Sequence, residues 1–204
     1  FLSDPTCVLA QYLAQDISKC RLKKLAVGKC KDAGVLIRFL KSYKMLESFE
    51  ITFAPSISEV LCELEGMTQL RSLMISKSRA EINHETEHDV NKLLQILHIR
   101  KFDSCMFNSV IAKTIAERRL VTKLCLSRQT LPVANILVVL AAECVQHFEL
   151  RSVDLEPLNV SGEPESEQPS ASSAWELLLR SLPAKLRVFE VVLSGPVLTS
   201  VSSR

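Results

Sequence analysis

The sequence predicts an α/β fold, a solenoid of stacked strand–turn–helix units with parallel strands on a concave face and helices on a convex face. Three observations predict it. A six-residue template (apolar, two variable positions, apolar, one variable, apolar) recurs along the chain. Its copies are mostly 22 to 24 residues apart. The segments between copies carry apolar residues three and four apart, the spacing of one helical face. A unit of this size cannot bury its own hydrophobic face, whereas stacked units bury theirs in series.

Taken in order, residues 1–21 are expected to be an N-terminal helix or the end of a preceding unit. Asp4-Pro5-Thr6 would start a helix over Cys7 to Ile17. The array of about seven units then runs over 22–204. Its first template is Leu22-Lys-Lys-Leu25-Ala-Val27, with a helix marked by Ala33, Leu36, Ile37 and Leu40. Leu46-Glu-Ser-Phe49-Glu-Ile51 follows, with Ile57, Val60, Leu61 and Leu64. The third copy is Leu70-Arg-Ser-Leu73-Met-Ile75, with Val90, Leu93, Leu94 and Leu97. A degenerate copy begins at Ile99, with Phe102 in register but Ser104 at the last apolar position; Val110, Ile111, Ile115 and Ala116 mark its helix. Val121-Thr-Lys-Leu124-Cys-Leu126 precedes Ile136, Val139, Leu140 and Cys144. Val145-Gln-His-Phe148-Glu-Leu150 precedes Trp175, Leu178, Leu179 and Leu182, and Leu186-Arg-Val-Phe189-Glu-Val191 closes the series.

The start-to-start spacings are 24, 24, 29, 22, 24 and 41 residues. An insertion over Ser76 to His88 accounts for the 29. For the 41, the segment 154–173 reads DLEPLNVSGEPESEQPSASS, rich in Ser, Glu and Pro. It lacks the apolar content for a packed core and is expected to be a disordered surface loop. An all-helical repeat array is the competing architecture, but Phe49-Glu-Ile51-Thr-Phe53 alternates as a strand does.

Net charge is +2, from 25 basic and 23 acidic residues. That balance supplies no broad field for nucleic acid or anionic lipid. No run of 18 apolar residues marks a membrane span. The seven Cys are odd in number and include no CxxC pair, which suits a reducing intracellular compartment, cytoplasm or nucleus. The chain begins at Phe1 and ends Ser-Ser-Arg, so a fragment or processed chain is expected.

One string suggests chemistry. His84-Glu85-Thr86-Glu87-His88 matches HExxH, which on a helix would hold zinc and make the chain a zinc-dependent hydrolase. Its context argues otherwise. The flanks are charged, the string precedes the apolar helix pattern, and nothing selects a third ligand. Glu85 and Glu87 read more simply as an acidic helix start. No Gly-rich phosphate loop or GxSxG appears among the five glycines. The expectation is therefore no enzyme, no cofactor, no metal site and no small-molecule substrate. His147 and Glu149 face the same way and read as an ordinary solvated pair.

The templates resemble the LxxLxL cores of leucine-rich repeats, specifically the ribonuclease-inhibitor-like α/β class, over residues 22 to about 194. The resemblance implies a horseshoe-shaped solenoid whose function is binding, usually of protein. Cys30 stands where that class often places a turn-filling Asn; the other units do not keep it. The irregular copies look like the divergent arrays of intracellular regulatory proteins, including substrate-recognition subunits of ubiquitin ligase complexes. No F-box-like segment or adaptor-binding box accompanies them here.

The expected function is thus a protein-interaction scaffold that docks a partner protein on the concave strip. The variable template positions supply that strip: Lys24, Glu47, Glu50, Arg71, Met74, Arg100, Asp103, Lys123, His147, Glu149, Arg187 and Glu190. Its mixed sign suits a charged protein surface, where charge sets specificity and encounter rate. Arg71 and Met74 are the expected local anchor.

Overall fold

The template spacing is also the strand register. In the computed structural model, which describes residues 22–30, 32–54, 56–76, 84–158 and 171–192, Lys24 pairs with Ser48, Ser48 with Ser72 and Ser72 with Lys101. Those residues are 24, 24 and 29 apart, as the templates are. The chain divides into two compact units, one ending at Met106 and one starting at Phe107. Seven strands alternate with helices, four in the first unit and three in the second, and successive strands within each unit pair in parallel. Parallel neighbours need a crossover of a dozen or more residues, which the helices supply. These strands exclude the all-helical alternative.

The first unit comprises β1 (Lys24–Lys29), α1 (Ala33–Ser42), β2 (Ser48–Phe53), α2 (Ile57–Leu64), β3 (Ser72–Ile75), α3 (His84–Ile96) and β4 (Lys101–Ser104). Val27, Phe49, Ile51, Leu73, Ile75 and Phe102 are buried on one sheet face. Against them lie the apolar stripes of the helices, such as Leu36, Phe39 and Leu40 of α1 and Val60, Leu61 and Leu64 of α2. Asp32 starts α1 by accepting from the Gly34 and Val35 N–H groups at 2.9 and 3.4 Å. Gly34 permits that approach, since a Cβ there would sit 3.1 Å from Asp32 Oδ1.

Approach turns are tied together by a repeated device. The Lys23 carbonyl accepts from both Glu47 and Ser48 N–H, that of Glu47 from Arg71 and Ser72, and that of Arg71 from Arg100 and Lys101, all at 2.8–3.1 Å. The second unit repeats it: Thr122 accepts from Gln146 and His147, and Gln146 from Arg187 and Val188. Each copy therefore enters its strand at the same height as the last.

The second unit comprises α4 (Ser109–Arg118), β5 (Lys123–Ser127), β6 (Thr130–Pro132), α5 (Val133–Ala141), β7 (His147–Arg151), β8 (Asp154–Glu156), α6 (Ala171–Arg180) and β9 (Val188–Val192). Strands β5 and β7 carry Leu124, Leu126, Phe148 and Leu150 into the core, and Phe148 stacks on Phe189 of β9. The short β6 and β8 pair in parallel, Leu131 opposite Leu155. The repeat extends to the backbone conformation. Left-handed φ values occur at Arg119 and Glu143, and at Arg128 and Ser152. Each pair is 24 residues apart, matching the β5–β7 register of Lys123 opposite His147.

Several expectations need correction. The segment 154–173 is not a loop at either end, because Asp154–Glu156 is strand β8 and α6 begins at Ala171. Buried Leu155 gives the first end its reason to order; residues 159–170 lie outside the described residues, as do 77–83 and the expected helix over 7–17. Val110 and Leu179, read as core-facing, are 55% and 54% exposed. The inward direction of α4 is set by Ile111, Ala112 and Ile115, and that of α6 by Ala174 and Leu178, so a residue next to the stripe turns outward. Cys144 and Leu182 follow their helices rather than belonging to them. Among the described residues no helix is long and apolar enough to cross a membrane.

Candidate functional site

In the first unit the sheet face away from the helices carries two rows of side chains. Register aligns Lys24, Ser48, Ser72 and Lys101 in one row, and Ala26, Glu50, Met74 and Asp103 in the next. Strand alternation turns both rows away from the core. The first row, with Glu47, Arg71 and Arg100 from the approach turns, lines an open depression of about 460 Å³. Four cations and one carboxylate line it, and that carboxylate is already engaged, since Lys23 Nζ meets Glu47 Oε1 at 2.7 Å. This bond holds the Lys23 ammonium above its usual range.

Four residues of the expected strip, Lys24, Glu47, Arg71 and Arg100, are brought together in this depression, with Glu50, Met74 and Asp103 in the next row, and the character of the strip is changed. Read along the sequence it is mixed in sign; in the fold the cations gather at the strand entrances. Arg71 is also less available than a free anchor would be, because its guanidinium donates to the Thr68 and Leu70 carbonyls at 2.7 and 3.0 Å. Met74 lies half-buried between Glu50 and Asp103 across the ladder. Ser48, Ser72 and Lys101 were legible as variable positions, and only the register shows that they complete the depression.

The second unit differs. Lys123, Cys125 and Ser127 of β5, His147, Glu149 and Arg151 of β7, and Glu190 of β9 share the corresponding face. Cys125 and Glu149 are nevertheless 1% and 5% exposed. The expected solvated position of Glu149 is corrected: it is enclosed by its neighbours, with Arg151 Nε at 2.5 Å from Oε1 and His147 Nε2 at 3.8 Å from Oε2. Burial pushes the Glu149 carboxyl up, but the Arg151 hydrogen bond and the charges of Arg151, Lys123 and His147 outweigh it and hold it below the ordinary range. Arg187 is exposed ahead of β9.

The HExxH string begins α3 rather than preceding it, because Glu85 and Glu87 in the first turn favour the helix N-terminus. His84 is fully exposed and His88 largely so, while Thr86 between them is buried. Among the described residues neither histidine belongs to a group of three possible ligands; the group that exists is His147, Glu149 and Glu190. Cys30 is buried at the exit of β1 and its thiol donates to the Asp32 carbonyl at 3.2 Å. No family model, no curated protein and no solved structure matches this chain.

Proposed function

We propose that the chain is a protein-interaction module of the leucine-rich-repeat type. Its units stack as a solenoid, and its docking surface is the strand face opposite the helices. The observation that carries this reading is the depression in the first unit, built from equivalent positions of four successive copies. A surface assembled from repeated positions is how solenoids make extended binding faces. Four cations against one already paired carboxylate select an acidic protein segment, where complementary charge would steer encounter and register. Ser48 and Ser72 would supply hydroxyls between the cations.

The test is non-covalent capture of partners from cell extract, comparing wild type with the Lys24→Glu, Lys101→Glu double variant, with carbodiimide cross-linking of the wild-type complex to locate the partner segment joined to Lys24 and Lys101. The expected result is that the joined segments are rich in Asp and Glu and that the variant no longer captures those partners, with its melting temperature intact. Equal capture by both proteins would remove this face as the docking surface.

A further inference from the structure

We propose that His147, Glu149 and Glu190 in the second unit form a binding site for a divalent transition-metal ion, Zn²⁺ or a close analogue. The proposal is independent of the protein-docking reading. Each residue offers one donor atom, and the three donors lie within 4.8 Å of one another. Zinc bonds to N and O are about 2.0–2.2 Å long, so ligands of one tetrahedral ion sit about 3.4 Å apart. His147 Nε2 and Glu149 Oε2 are already at 3.8 Å. Small carboxylate rotations supply the remaining contraction.

A second observation points to a ligand. His147 Nε2 is sealed from solvent and has no hydrogen-bond partner. A buried nitrogen left without a partner is unfavourable. In the Nδ1–H tautomer Nε2 carries a lone pair within 4.8 Å of a donor oxygen on each of two carboxylates, and a metal ion between them would take all three. The carboxylates are themselves arranged for it. Glu149 and Glu190 are direct ladder partners on β7 and β9, where like charges repel. Arg151 Nε engages Oε1 of Glu149, while Oε2 of Glu149 lies 3.8 Å from His147 Nε2. Arg151 therefore acts as a positioning residue that orients the ligand.

The donor set selects the ion. One imidazole and two carboxylates suit Zn²⁺, Co²⁺ and their neighbours, whereas Mg²⁺ and Ca²⁺ prefer all-oxygen shells. A dipositive ion also balances the two carboxylate charges. Three protein donors leave a coordination position for water or for an incoming carboxylate. Behind the site, the stacked Phe148 and Phe189, with centroids 5.8 Å apart, brace the two strands that carry it.

The experiment uses the full chain stripped with chelator and titrated with Zn²⁺ by calorimetry, with Co²⁺ as an optical probe in parallel. Wild type is compared with Glu190→Gln, His147→Gln and a His84→Gln, His88→Gln control; metal-free melting curves establish that each variant folds. The expected result is one equivalent of Zn²⁺, visible Co²⁺ absorption bands, an affinity loss of about tenfold or more in each of the first two variants, and no change in the control. If His147→Gln fails to fold, Glu190→Gln decides alone. Absence of uptake, unchanged affinity in Glu190→Gln, or uptake abolished only in the His84/His88 control would each overturn the proposal.

Discussion

Glu149 lies directly across the ladder from Glu190, so two carboxylates face one another on neighbouring parallel strands of the second unit. Like charges at opposite positions destabilise a sheet by up to about 1 kcal/mol. Without metal, Glu190→Gln is expected to raise the melting temperature slightly. With Zn²⁺ present, wild type is expected to gain stability and the variant to gain less. Thermal unfolding with chelator and with Zn²⁺ measures both. A lower metal-free melting temperature in the variant would mean that attraction from His147 and Arg151 dominates the repulsion.

Glu149 also makes stability depend on pH. Burial pushes its folded carboxyl up, but the Arg151 hydrogen bond and the nearby positive charges together outweigh burial and hold it below its ordinary value. A carboxylate with a depressed folded pKa contributes its stability above the unfolded value, about 4.3, and loses it as pH falls through the folded value. The urea midpoint of wild type is therefore expected to fall more between pH 6 and pH 3.5 than that of Glu149→Gln. At pH 6 the variant is expected to be the less stable protein. Parallel slopes for the two would show that this carboxylate does not report on folding.

Ser104 occupies an apolar position of the template, yet it is fully buried and self-satisfied. Its hydroxyl accepts from Met106 N–H at 2.8 Å and donates to the Met106 carbonyl at 2.9 Å. Ser104→Ala strands that buried N–H and is expected to cost about 1–3 kcal/mol. Ser104→Val would restore the template's hydrophobicity and is expected to destabilise for the same reason. A rise in urea midpoint for the Val variant would show that the apolar position matters more than the turn it closes.

The helix starts are unequal. Asn108 caps α4 by accepting from Ile111 N–H at 2.9 Å, so Asn108→Ala is expected to cost about 0.5–2 kcal/mol. Ser56, ahead of α2, sits at φ 53° and ψ 46° with no side-chain cap bond. Left-handed backbone suits glycine better than serine. Ser56→Gly is therefore expected to be neutral or stabilising, and denaturant titration of both variants checks the contrast.

The sequence by itself determined the period, the seven template strands and most of the buried set. The templates at Leu22, Leu46 and Leu70 recur at the spacing the ladder later shows, because each repeat must present its apolar residues at the same height to a neighbour. Val60, Leu61 and Leu64 of α2 were legible for the same reason, since a helix must turn one stripe inward. The short β6 and β8 were missed. Three residues carry too little alternation to stand out, and one ends in proline. Their only signal was the 24-residue recurrence of Thr130-Leu131 and Asp154-Leu155.

What tertiary structure alone decided is which variable positions become neighbours and which are covered. Lys24, Arg71, Arg100 and Lys101 are scattered along the chain and converge only because register stacks the strand entrances. His147 and Glu149 look alike in sequence as outward strand residues. Only the fold shows Glu149 enclosed with Arg151, and Glu190, 41 residues away, brought to its side. Periodicity is a local constraint repeated along the chain. Charge clustering and burial on the variable face are sums over side chains from different repeats, which no single stretch of sequence specifies.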